Sequence, residues 1–185
     1  MDSQLNESFN KIKNILYKKD AFDKRYSFEE LAELISKPSK SEDEEKTLKS
    51  IAMFIKAMNE SIQDLGTQIM KIKDINFDER QEIENAAKDI ILIIDEFIDS
   101  LIALSRTFDF KENRVNLKIS EVKLKKLRNA IVHSLNEMRF KINISETDKD
   151  QVRTLINDII DNIIDQSVIL RIEKLYKVFE TKKYI

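Results

Sequence analysis

Apolar side chains recur every three or four positions along most of the chain, which is the spacing of one face of a helix. Near the N-terminus this pattern occupies residues 2–18 and 26–35, and each stretch predicts a short helix. A break follows around Pro38, the only proline of the chain. Ser41, with Glu44 three residues later, has the sequence of a capping box, so we expect a long helix to begin there.

The rest of the chain carries longer runs of the same pattern. In residues 83–104 extra apolar positions widen the apolar stripe beyond the seam of a two-stranded coiled coil. We therefore expect that helix to be central and to contact several neighbours. Polar stretches at residues 107–116 and 145–150 suit a loop and a turn. The long helices predicted in this way span about residues 41–73, 78–104, 117–141 and 151–182.

The small number of helix breakers sets the fold class. One glycine and one proline leave few places for hairpin turns, so we expect an all-α protein. The simplest arrangement is an up-and-down helical bundle of four to five main helices with a short N-terminal helical addition. We expect the addition to occupy residues 1–40 and the bundle to occupy residues 41–185.

Composition excludes several kinds of site. With no cysteine and one histidine, the chain cannot build disulfides, thiolate zinc sites or sites that draw several imidazoles from one chain, so a metal would need carboxylates alone. The first residues lack the features of a secretory signal, and the apolar run at residues 90–94 is far shorter than a membrane span of about 20 residues. We therefore expect a cytoplasmic protein without membrane contact. Since the formal net charge is −2, binding to nucleic acid would need a local basic surface.

Such a surface surrounds the single histidine. On a helical wheel Leu124, Ile131 and Leu135 form an apolar stripe, and His133 falls on the opposite side. We expect His133 to face away from the core, either as a functional group or as a merely exposed histidine. The basic residues of this helix suit a phosphate-bearing substrate, although a solvated face is the plainer interpretation. The candidate phosphate-binding residues are Lys118, Lys125, Lys126 and Arg139.

Between Arg128 and His133 the sequence reads Arg-Asn-x-x-x-His. This order resembles the signature of the HEPN superfamily (higher eukaryotes and prokaryotes nucleotide-binding domains), small helical bundles of which many are metal-independent ribonucleases. The motif lies on a late helix of the predicted bundle, and the resemblance covers about residues 41–182. Toxin members paired with nucleotidyltransferase antitoxins often carry a Tyr two residues after the histidine. This chain has Leu135 there, which disfavours that subfamily.

The resemblance implies an endoribonuclease that needs no metal or cofactor. Arg128 would hold the scissile phosphate, His133 would transfer protons, and Asn129 would orient the imidazole or the ribose. Because RNA supplies its own nucleophile in the 2′-hydroxyl, the products would be a 5′-hydroxyl and a 2′,3′-cyclic phosphate. The resemblance also implies a symmetric dimer that brings two Arg and His residues together. Such domains commonly serve in prokaryotic toxin–antitoxin or antiphage systems, so a neutralising or regulatory protein partner is a further expectation.

Two other functions stay open. Glu29, Glu30 and Glu33 resemble half of the acidic magnesium motif of all-α nucleotide pyrophosphatases, and Glu96 with Asp99 could supply the second half, although farther downstream than in that family. The other alternative is a catalytically silent helical interaction protein, because inactive HEPN members exist. A dimer with facing Arg and His residues favours the nuclease, an acidic cluster with Mg²⁺ favours the pyrophosphatase, and a monomer with a solvated histidine favours the silent protein.

Overall fold

The computed structural model describes residues 3–16, 24–73, 78–109, 114–164 and 167–185. These ranges hold seven α-helices and no strand, apart from one isolated backbone bridge between Tyr26 and Phe108, and the prediction of an all-α helical bundle is confirmed. The helices are α1 (Ser3–Leu16), α2 (Phe28–Ser36), α3 (Glu42–Lys73), α4 (Arg80–Thr107), α5 (Arg114–Arg139), α6 (Glu146–Ile164) and α7 (Ser167–Thr181).

Hydrogen bonds at helix starts explain where the elements begin. The backbone N–H of Glu44 donates to the Ser41 hydroxyl and the backbone N–H of Ser41 donates to the Glu44 carboxylate, both at 3.1 Å. The predicted capping box is therefore confirmed. Ser145 and Asp148 make the same reciprocal pair before α6, at 3.2 and 3.1 Å. Since Ser145 caps α6, the turn before that helix covers residues 140–145 and lies earlier than predicted.

The end of the chain, for which one helix was predicted, is described as α6 and α7, and residues 165–166 between them lie outside the described residues. Both helices have a buried apolar face, and Ile163 on α6 and Ile172 on α7 are nine residues apart. Nine residues amount to a rotation of roughly 180° beyond whole turns. One straight helix would point these two side chains in opposite directions, yet both are buried.

The helices pack around α3 and α4, the two longest helices, which make few direct contacts with each other. α1 and α6 each lie against both α3 and α4, and they join these two helices into one bundle. α5 packs on α4 and α6, while α7 packs on α3 and α2. α4 therefore contacts α1, α5 and α6, which confirms its expected central position.

The core is one continuous cluster of apolar side chains that draws on every helix. Phe9 and Ile12 of α1 are buried in it together with the isoleucines of α3, α4 and α6, so the N-terminal helix shares the core of the long helices. In the described ranges, no helix combines the length and the hydropathy that crossing a membrane requires.

Candidate functional site

The Arg-Asn-x-x-x-His segment lies in the middle of α5, which one apolar stripe fixes to its neighbours. The side chains of this stripe alternate at helical spacing and are all buried: Leu124, Ile131, Leu135 and Met138. α5 runs antiparallel to α4, since Arg80 at the start of α4 donates to the carbonyl of Met138 (2.9 Å) while Asp95 contacts Arg128 farther back along α5. The segment is therefore held on a regular, well-packed helix.

His133 projects from the outer side of α5. Its side chain is 74% exposed, so the prediction that it faces away from the core is confirmed. His133 Nε2 lies 3.2 Å from Oε1 of Glu137, one helical turn later on the same face. A proton on Nε2 can be donated to this carboxylate, which then sets the ring orientation. Glu137 was not among the predicted functional residues, although its i,i+4 spacing from His133 is visible in the sequence.

Arg128 is engaged by a carboxylate of the neighbouring helix. Its Nε donates to Oδ1 of Asp95 at 3.0 Å and its Nη2 donates to Oδ2 at 3.3 Å. The Arg128 side chain stays 34% exposed and that of Asp95 50% exposed, so solvent reaches both partners. The sequence could not show this contact, because the two residues are 33 positions apart and their meeting depends on how α4 packs against α5.

The three motif residues do not share one face of α5. Asn129 and His133 are four residues apart, which separates them by only about 40° around the helix, and both are exposed. Arg128 and His133 are five residues apart, which separates them by about 140°. Within one chain the fold therefore groups Asn129 with His133 and Glu137, whereas Arg128 points towards α4.

The predicted phosphate-binding residues are spread along α5. Lys125 and Lys118 both bind Glu121, at 2.7 and 3.1 Å, and hydrogen bonding first from Lys125 and then from Lys118 lowers the pKa of that carboxyl. Lys118 is also about 22 Å from His133 along the helix axis, at 1.5 Å per residue. Lys126 and Arg139 are exposed and lie within two turns of the histidine. Lys126 and Arg139 are therefore better placed than Lys118 to act with His133.

A row of exposed side chains, which we call the α5 ridge, runs along the outer side of this helix. Its members follow one another at alternating steps of three and four residues, the spacing of a coiled-coil seam. They are Ile119, Val122, Lys126, Asn129, His133, Asn136 and Phe140. The apolar members near its two ends are well exposed: Ile119 at 59%, Val122 at 44% and Phe140 at 89%. Phe140 directly follows the last residue of α5, while Ile119 and Val122 lie on one face of the helix, and exposed apolar side chains of this size mark a surface suited to pairing with another helix.

A pocket of about 270 Å³ opens between α4 and α5 at the Lys118 end of the helix, and the motif residues do not line it. Its lining residues are Arg25, Ile98, Leu101, Ile102, Ser105, Lys118 and Glu121. The motif residues therefore lie away from this cavity.

Three of the five acidic residues considered for a magnesium site have other contacts. Glu29 binds Arg171 at 3.0 Å, Glu30 accepts the backbone N–H of Ser27 at 3.0 Å, and Glu96 forms an ion pair with Lys13. Nowhere in the described ranges do three or more metal-ligating side chains gather into one group. The structure thus gives the pyrophosphatase alternative no metal-binding cluster in that part of the chain.

Comparisons of the chain with family models, with curated proteins and with solved structures found no match.

Proposed function

We propose that this protein is a metal-independent endoribonuclease that acts as a symmetric dimer. The observation that carries the proposal is the exposed position of His133 on α5, beside Asn129 and Glu137 and within the Arg-Asn-x-x-x-His order. A histidine presented to solvent with a carboxylate 3.2 Å away has the access and the orientation that proton transfer to a bound substrate needs. The sequence resemblance to the HEPN superfamily supports the same function.

RNA cleavage at this site requires little from the protein. The 2′-oxygen attacks the adjacent phosphorus, a new O2′–P bond forms, and the P–O5′ bond breaks. One imidazole accepts the 2′-hydroxyl proton, and a second donor returns a proton to the departing 5′-oxygen. Arg128 neutralises the charge that develops on the phosphoryl oxygens. Lys126 and Arg139 lie where they can contact flanking phosphates, while Asn129 orients the ring or the ribose.

A second copy of the chain completes each site. The α5 ridge supports this part of the proposal, because two ridges aligned antiparallel about Asn129 place Ile119 opposite Phe140 of the second copy and cover both exposed apolar ends. The same alignment places Lys126 of one ridge opposite His133 of the other. In the proposed site Arg128 of one copy acts with His133 of the other, in keeping with the shared site that the family resemblance implies.

By analogy with the family that the motif resembles, we place the protein in a prokaryotic toxin–antitoxin or antiphage system, acting in the cytoplasm with a protein partner that neutralises or triggers it.

The direct test is cleavage of a mixed RNA pool in EDTA by the wild-type chain and by His133→Ala, with Gln151→Ala, an exposed position on α6, as the matched control. We expect fragments with cyclic phosphate ends from the wild type and the control, and a loss of at least about a hundredfold in rate for His133→Ala. Equal cleavage by His133→Ala would reject the assignment. A folded wild-type protein that cleaves no RNA in the pool would favour the silent interaction protein instead.

A further inference from the structure

The ion pair between Arg128 and Asp95 joins the motif helix to α4. Two hydrogen bonds at 3.0 and 3.3 Å fix the guanidinium by its Nε and one Nη2 hydrogen. Asp95 stands on a helix that is buried on its other side, so its own position is set by the core. The contact therefore fixes the direction in which the guanidinium points.

The guanidinium keeps donors for another ligand while Asp95 holds it. It carries five N–H groups, and Asp95 occupies two of them, which leaves both Nη1 hydrogens and the second Nη2 hydrogen. One hydrogen on Nη1 and one on Nη2 point together along the adjacent end edge of the guanidinium, which can hold a phosphate with two parallel hydrogen bonds. Without the carboxylate, the long Arg128 side chain would sample several rotamers and would have to be ordered each time phosphate binds.

We propose that Asp95 is a positioning residue: it holds Arg128 by its Nε/Nη2 edge so that the adjacent Nη1/Nη2 edge is presented to a phosphate of the RNA. This inference rests on the proposed function, because it takes the bound anion to be an RNA phosphate. The opposing possibility is that Asp95 competes with the phosphate for the same guanidinium. The two differ in sign, since a positioning residue raises the contribution of Arg128 to RNA affinity and a competitor lowers it.

A double-mutant cycle on binding separates these two possibilities without requiring cleavage. The probe is a fluorescein-labelled, 2′-O-methylated oligoribonucleotide of mixed sequence, which has no free 2′-hydroxyl and stays intact. Its affinity is measured in EDTA for the wild type, Asp95→Asn, Arg128→Ala and the double variant, with circular dichroism as the check on folding. Asp95→Asn removes the same charge in the presence and in the absence of the Arg128 side chain. The long-range effect of that charge on RNA affinity therefore cancels in the cycle. Asp99→Asn, an exposed carboxylate one turn farther along α4, is the matched control.

We expect Arg128→Ala to weaken binding by about tenfold or more when Asp95 is present, as for a charge-assisted contact to phosphate. In the Asp95→Asn background the same substitution should cost less than about threefold, while Asp99→Asn should leave the effect of Arg128→Ala unchanged. An effect of Arg128→Ala that is equal or larger without Asp95 would overturn the positioning role, as would no effect in either background. A chain that gives the expected cycle but cleaves no RNA would reject the nuclease while keeping the assignment of Asp95.

Discussion

At the start of α6, Asp148 combines a cap with an ion pair. Lys141 Nζ donates to its carboxylate at 2.6 Å, and the hydroxyl and backbone N–H of Ser145 donate to it as well, at 2.8 and 3.1 Å. These contacts, the Lys141 hydrogen bond first, lower the pKa of Asp148 to about 2. Because the folded pKa lies below the usual value, the carboxylate contributes its full stabilisation above about pH 4 and loses it as the pH falls towards 2.

Replacing the lysine should move this titration. We expect Lys141→Met to raise the pKa of Asp148 measurably towards its ordinary value of 3.8, while the Ser145 hydrogen bonds keep it below that value. Side-chain carboxyl carbon shifts followed by NMR against pH measure this pKa directly. Lys149→Met is the control, since Lys149 pairs with Glu146 and should leave the Asp148 titration in place. An unchanged Asp148 titration in Lys141→Met would show that the ion pair does not form in solution.

Single residues differ in how far the sequence predicts them. The outward position of His133 followed from the apolar stripe on its own helix, because burial of one face determines the opposite face. The pairing of Arg128 with Asp95 did not follow, since it depends on the register between two helices that are far apart in the sequence. Glu137 lies between these cases: its spacing from His133 was visible, but nothing in the sequence distinguished it from an ordinary surface charge.

Among the helices, α3 contains the one glycine of the chain, Gly66, in its interior. A methyl group placed on Gly66 would meet nothing within 4 Å. Glycine in a helix loses more backbone entropy on folding than alanine does, and close packing at this position does not compensate for that loss. Gly66 therefore lowers the stability of the fold, and no close contact at this position requires a glycine.

We expect Gly66→Ala to raise the free energy of unfolding by about 0.5–1 kcal/mol, measured by urea denaturation. The reverse change on the same helix, Ala57→Gly, is the matched control and should lower it by about 1 kcal/mol. A loss of stability in Gly66→Ala would mean that this position needs a close helix approach or a bend.

Helix starts were largely predictable from the sequence. α4 and α5 begin within three residues of the predicted starts, because capping and turn residues mark them locally. The change of phase between Ile163 and Ile172 is visible in the sequence and conflicts with the single straight helix predicted there.

At the scale of the whole molecule, the arrangement of helices places the motif outside the bundle. α1 and α6 fill the space between α3 and α4, and α5 is left on the periphery with its ridge exposed. The sequence predicted the bundle but not this order, because helix neighbours are chosen by contacts between distant segments. The separation of residues 1–40 as an addition stays a prediction, although α1 contributes Phe9 and Ile12 to the shared core.

Each proposed site combines Arg128 of one chain with His133 of a second. Arg128→Ala and His133→Ala, co-expressed with different tags and purified as a mixed dimer, test this arrangement, because one of the two composite sites in that dimer is intact. We expect each variant alone to be inactive and the mixed dimer to cleave RNA in EDTA at about half the wild-type rate. A mixed dimer as inactive as either parent would overturn this arrangement, since it would mean that both residues must come from the same chain.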